Sequence, residues 1–169
     1  MADLHIHYDG MQGDRMHGYS DSSLRDHLDD YHSTSEYIYL LADSTILWTS
    51  CKQKTITQST TEVEYMALAK ASNQAKWYCS YLLELSYETP DPIPLHSDNK
   101  GAVDLMLNPM TGRHSKHIPI KHHAIHEYVE NGVIDLIHML LEDMLTDRMT
   151  KPLPHMQLRD LVTGLGLTN

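Results

Sequence analysis

The sequence predicts an α/β fold: a mixed sheet that begins antiparallel, gains parallel strands, and is flanked by helices. Three observations carry this expectation. Strand-like segments come first, with a two-residue interval between two of them; a long segment with helical periodicity follows; after it, short apolar runs alternate with amphipathic stretches. The order is three strands, helix, strand, two helices, strand, helix.

Each element has a local reason. Residues 1–15 are polar, with a brief alternation at "LHIHY" that suits a lead-in or a short edge strand. "MHGYSDS" (Met16 to Ser22) alternates weakly. "SEYIYLLA" (Ser35 to Ala42) and "TILWTSCK" (Thr45 to Lys52) are strands, and Asp43-Ser44 between them has the length of a tight hairpin. The helix expected from Thr60 to Ser86 carries Leu68, Ala71, Ala75, Tyr78, Leu82 and Leu85 on one face, and "ETPDPIP" forbids its continuation. "IPLHS" (Ile93 to Ser97) is a short strand running into Asp98, and Asn99 is a good N-cap for "KGAVDLML". "NPMTGRHSKHIP" is a loop. "IKHHAIHEYVENG" is a helix stopped at Asn131-Gly132, "VIDLIHML" a strand, "EDMLTDRMTK" a short helix and "MQLRDLVTGL" a last amphipathic piece.

The 169 residues suffice for one domain with a real core. A net charge of −10 argues against a free-standing tight nucleic-acid binder. Cys51 and Cys79 form no metal or redox spacing, which suits a reducing compartment. "MADLHIHYDG" has neither the basic nor the apolar region of a signal peptide, and no apolar run approaches the roughly 20 residues of a spanning helix, so no membrane partner is expected.

Four acids stand out against their surroundings. In "STTEVEYMALAKA", Glu64 heads the apolar stripe of the long helix, while Glu62 lies about 200° around from it. Ser59 to Glu62 fits a capping box; Thr61 to Glu64 fits the same pattern, so Glu64 retains a capping alternative. Asp21 falls in or at the end of the first strand, where Asp is disfavoured. Asp98 closes a strand in the position where ligand sites collect in α/β sheets. Asp147 sits on a late helix, with a solvated charge as its alternative. Clustered carboxylates repel by about 4 kcal/mol per pair at 4 Å and an effective dielectric near 20, so a group of four needs cations. Hard oxygen ligands suit Mg²⁺, and two such ions can serve phosphodiester hydrolysis. Glu64 is therefore expected to face a metal and Glu62 to cap the helix.

The segments "GYSDSS", "STSEYIYLL", "WTSCKQKT", "STTEVEYMALAKA", "SDNKGAV", "SKHIPIKHHAIHE" and "TDRMTKPL" resemble, in order and spacing, the RNase H domain at the end of the pol polyprotein of copia-type LTR retrotransposons. The resemblance runs from about His17 to Leu167. It implies an RNase H-like fold with a five-stranded mixed sheet over residues 17–169, residues 1–16 being a lead-in resembling the connection from an upstream reverse transcriptase. It implies Mg²⁺-dependent cleavage (two ions, with Mn²⁺ as a substitute) of the RNA strand of RNA–DNA hybrids, with Asp21, Glu64, Asp98 and Asp147 as catalytic, metal-binding acids. It also implies an intracellular setting, in a cytoplasmic virus-like particle or the nucleus.

The basic stretch "RHSKHIPIKHH" offers Arg113, Lys116, His117 and Lys121 for phosphate contact, with a solvated charged face as the alternative. The surrounding His114, His117, His122, His123 and His126 lack the tight closed ligand spacing of a structural zinc site. Several positions depart from the family. Ser23 and Leu24 replace an Asp and a Trp. Glu36 replaces a Gly, with strain expected if that position is a turn requiring positive φ. Pro119 replaces an acid, and Leu140-Leu141 a polar turn. Acids kept in a drifted scaffold leave a second reading open, a non-catalytic relic or nucleic-acid-binding remnant of the same domain. A third, an integrase or resolvase of the same fold, is disfavoured by "SDNKGAV" and "TKPL".

Overall fold

The computed structural model describes residues 4–8, 15–24, 31–56, 59–87, 92–108, 123–140, 144, 146 and 155–168. Its main sheet has five strands in the order β4-β3-β2-β5-β6, formed by β2 (Met16–Ser23), β3 (Thr34–Leu41), β4 (Ser44–Lys52), β5 (Ile93–Ser97) and β6 (Ile134–His138). The β2–β3 and β3–β4 pairs are antiparallel; β2–β5 and β5–β6 are parallel. The mixed sheet expected from the sequence is thus present, with the first long strand between the second and the Ile93–Ser97 strand. The "LHIHY" segment supplies β1 (His5–Ile6), which pairs antiparallel with β7 (Leu167–Thr168) in a small second sheet. Among the described residues, four helices flank the sheets: α1 (Thr60–Glu84), α2 (Lys100–Leu107), α3 (His123–Glu130) and α4 (His155–Gly164).

The apolar face of α1 does pack inward. Leu68, Ala71 and Ala75 are fully buried in one cluster with Tyr39, Leu95, Met106, Ile125 and Ile134, and Tyr78 is partly buried against it. Leu85 is the exception: it is the C-cap residue and is exposed, because α1 outruns the sheet it covers. Gly18 on β2 is pressed against the Tyr39 ring, and an added Cβ would overlap ring atoms. That close approach lets the Tyr39 hydroxyl donate to the Ala71 carbonyl at 2.8 Å, which fixes α1 on the sheet two turns beyond Glu64. The other face of β3 buries Ile38 and Leu40.

Two sequence expectations need correction here. The β3–β4 hairpin turns at Ala42-Asp43, both at positive φ (51° and 56°), and Leu41 pairs with Ser44. A two-residue loop needs left-handed backbone at both central positions to match strand twist, and that geometry prevailed over the strand-like look of Ala42. The strain expected at Glu36 if its position were a turn does not arise: Glu36 lies in β3, within the strand expected over Ser35 to Ala42, in register with Asp21 and Ser50, and it is absent from the positive-φ residues. The short helix expected over "EDMLTDRMTK", like the basic stretch before α3, lies outside the described residues apart from Met144 and Thr146, both buried.

Candidate metal centre

The parallel β2–β5 ladder pairs Gly18 with Leu95 and Tyr19 with His96. Asp21 and Asp98 each stand two residues further along, where that pairing has ended. Two acids are therefore delivered side by side to the open carboxyl ends of adjacent parallel strands, the place where such sheets bind ligands. Glu64 enters from above, on the second turn of α1. Oxygen atoms of Asp21, Glu64 and Asp98 all lie within 4.8 Å of one another.

Each side chain has a local support. The Ser22 N–H donates to Asp21 Oδ1 at 2.7 Å. Asp98 is followed by Asn99, the N-cap of α2, whose side chain accepts from the Ala102 N–H at 2.9 Å and so starts the helix away from the acid. Its own carbonyl contacts His138 Nε2 at 3.0 Å, linking the end of β6 to the site. The first turn of α1 is held by Gln53, fully buried at the end of β4, whose Nε2 donates to Ser35 Oγ at 2.8 Å and to the Val63 carbonyl at 3.1 Å. Ser59 is the N-cap and accepts from the Glu62 N–H, while Glu62 itself is exposed. The two glutamates of "STTEVEYM" part: Glu62 lies in the first, solvated turn of the helix with its N–H on the Ser59 cap, and Glu64 lies in the acid cluster.

Glu64 is 7% exposed, and its Oε2 is buried without a hydrogen-bond partner. Burial pushes its carboxyl up to about 8 from an ordinary 4.5; the neighbouring Asp21 and Asp98 charges add to this, and hydrogen bonds from Ser22 oppose it. An orphaned carboxylate oxygen facing two more acids is a costly arrangement for a protein without a counter-charge. The donor set, all carboxylate oxygen, suits Mg²⁺ or Mn²⁺. The residues present therefore fit a divalent cation.

Asp147, Arg113, Lys116, His117 and Lys121 lie outside the described residues, as do His114 and His122. Among the described residues the triad is the metal-competent group, and it includes no histidine. Sequence reasoning missed two residues that support the site: Gln53 and Ser22. Gln53 had a weak signal, an amide closing an otherwise regular strand; Ser22 had none.

No protein-family model matches the chain. It is 37% identical over 153 residues to the retrovirus-related Pol polyprotein from transposon RE1 of Arabidopsis thaliana, covering 90% of this chain and 10% of that polyprotein. The corresponding polyprotein from transposon RE2 of the same plant is 36% identical over 152 residues, with the same coverage. The chain spans about a tenth of the length of these curated relatives. Among solved structures, LC11-RNase H1, isolated from compost and crystallised in complex with an RNA/DNA hybrid, aligns with a TM-score of 0.58 at 13% identity, covering 79% of this chain and 91% of that one.

Proposed function

We propose, from the premise that this chain is an RNase H-fold homologue of the Pol polyproteins of copia-type transposons, that it is a Mg²⁺-dependent endonuclease acting on the RNA strand of RNA–DNA hybrids during reverse transcription. The observation that carries the reading is the convergence of Asp21, Glu64 and Asp98 within 4.8 Å, with Glu64 Oε2 buried and unpartnered.

Asp21, Glu64 and Asp98 would hold the cation, with Asp147 as the proposed fourth acid. Bound there, a pair of divalent ions supplies an activated water and stabilisation of the leaving oxygen. The chain's own part is positioning. The Ser22 N–H fixes one oxygen of Asp21, Gln53 and Tyr39 fix the helix that presents Glu64, and Asn99 turns the chain after Asp98. Arg113, Lys116, His117 and Lys121 are the proposed phosphate contacts. The relative crystallised with an RNA/DNA hybrid supports that substrate class. An upstream reverse transcriptase, in the polyprotein context of the relatives, is the proposed partner that holds the hybrid, since a net charge of −10 opposes binding by this chain alone. Among the described residues no helix is long and apolar enough to cross a membrane.

The test is cleavage of a hybrid labelled on either strand, with and without Mg²⁺, by the wild-type chain, D98N and E62Q. The expected result is Mg²⁺-dependent cutting of the RNA strand alone, abolished in D98N and retained in E62Q. Equal loss in both variants shows that the triad was wrongly chosen. A folded chain that binds cation yet cuts no hybrid, even when fused to a basic hybrid-binding module, is the non-catalytic relic.

A further inference from the structure

The last turns of α1 carry an aromatic patch that the acid site does not use. Trp77 and Tyr81, one turn apart, stack with ring centroids 5.5 Å apart and planes within 4° of parallel. The Tyr78 ring lies 6.4 Å from Trp77 and 6.2 Å from Tyr81. Leu85 follows Tyr81 by one more turn on the same side of the helix. Trp77 is 57% exposed, Tyr81 44% and Leu85 60%. Tyr8 borders this patch. The Tyr78 hydroxyl is pushed above its ordinary range by burial first and then by the neighbouring Tyr8 and Tyr81 phenols. Tyr8 is half exposed, and its hydroxyl donates to the Thr45 carbonyl at 2.7 Å. The preceding residue is held as well: the His7 N–H donates to the Gly166 carbonyl at 3.1 Å, and the Ser44 hydroxyl donates to the His7 carbonyl at 2.6 Å. Residues 4–8 span at most about 15 Å, so chain joined ahead of residue 4 starts within about that distance of Tyr8.

The size of the patch selects its occupant. At about 150–250 Å² per aromatic side chain, three partly exposed rings and a leucine offer roughly 400 Å². A free partner needs about 800 Å² on each side for a stable interface. The patch is therefore too small to hold a diffusing protein or a second copy of this chain. A partner on the same polypeptide escapes that requirement, because a short tether presents it at an effective concentration on the order of millimolar. The match to this chain takes up 10% of each related Pol polyprotein, so most of such a polypeptide lies outside the domain. We infer that Tyr8, Trp77, Tyr81 and Leu85 form the docking face for the reverse-transcriptase region upstream on the same polypeptide, which covers them with an apolar surface of its own. This inference rests on the polyprotein partner of the proposed nuclease. Docking there leaves the acids open, since Glu64 lies near the other end of α1, about 20 Å from Trp77 along the helix.

The chain has two tryptophans, so W48F leaves Trp77 as a single fluorescent probe. The experiment measures acrylamide quenching of Trp77 in the full W48F chain, alone and fused at residue 1 to the region that precedes the matched segment of the RE1 polyprotein. A second fusion adds Y81A and L85S, both at exposed positions, and every sample is first checked for a cooperative melt. The expected result is strong quenching in the chain alone at every concentration, loss of most of it in the fusion, and its return in the Y81A/L85S fusion. Equal quenching in the fusion and in the chain alone overturns the inference. Protection that appears in the chain alone as its concentration rises also overturns it, and makes a second copy the occupant. Hybrid cleavage scored on the same samples separates this inference from the nuclease reading: a shielded Trp77 in a fusion that cuts nothing upholds the docking face and counts against the nuclease, whereas an exposed Trp77 in a fusion that cuts hybrid does the reverse.

Discussion

Replacing Glu64 by glutamine should make the metal-free protein more stable at high pH and leave it little changed in acid. Burial pushes the Glu64 carboxyl up to about 8 in the folded chain against an ordinary 4.5; a hydrogen bond from the Ser22 side chain opposes this, and the Asp21 and Asp98 charges add to it. Below pH 4.5 the carboxyl is neutral in both folded and unfolded states and contributes no difference. Between 4.5 and about 8 the unfolded chain releases the proton while the folded chain keeps it, so stability falls as pH rises. Above that window the full penalty is present. The whole shift, at about 1.36 kcal/mol per unit, sets a ceiling of about 5 kcal/mol; water reaching the half-buried Asp98 at the open side lowers the working figure to about 2–3 kcal/mol. Glutamine carries no such penalty. Thermal or urea melts in chelator from pH 4 to 9 should therefore show the variant gaining on the wild type across that window, by roughly 6–10 °C at its upper end. Saturating Mg²⁺ should rescue the wild type selectively, because binding to the native state alone stabilises it. Parallel pH profiles for the two proteins in chelator would refute the account of Glu64.

Three further outcomes are expected. Ala42→Gly should stabilise the fold by about 1 kcal/mol in urea unfolding, because Ala42 holds φ at 51°; a loss of stability would mean that this backbone is not left-handed in solution. Gly18→Ala should cost several kcal/mol and weaken cation binding, since the new Cβ meets the Tyr39 ring that sets α1 on the sheet; a neutral effect would show that Tyr39 yields freely. Ser59→Ala should cost about 1 kcal/mol through loss of the cap, with Mn²⁺ affinity unchanged; a drop in affinity would tie the first turn of α1 to the site more closely than its exposure suggests.

Much of this architecture was legible in the residues. The strands and the long helix announce themselves by period, and Ser59 and Asn99 cap the helices that their positions suggest. Glu64 and Glu62 could be told apart because one heads an apolar stripe and the other does not. What escaped were consequences of pairing register. Glu36 reads as a strand residue within Ser35 to Ala42, but only the β2–β3 alignment puts it opposite Asp21. The Ala42-Asp43 turn was misplaced by one residue because strand continuity and turn geometry compete there, and the alternation favours the strand. Gln53 belongs to a long-range bond, from the end of β4 to the Val63 carbonyl, that no local pattern encodes. Asp147 and the basic residues Arg113, Lys116, His117 and Lys121 lie outside the described residues, so their roles stay with the proposal.

The central claim is that Asp21, Glu64 and Asp98 form one divalent-cation site. Anomalous diffraction from crystals grown with Mn²⁺, recorded above and below the manganese absorption edge, tests it directly. The account predicts a manganese peak in contact with carboxylate oxygens of Asp21, Glu64 and Asp98, and its absence in D98N crystals of the same form. Well-ordered crystals in which those three carboxylates are resolved but carry no manganese, or in which Glu64 Oε2 has turned to a protein donor instead, would contradict it.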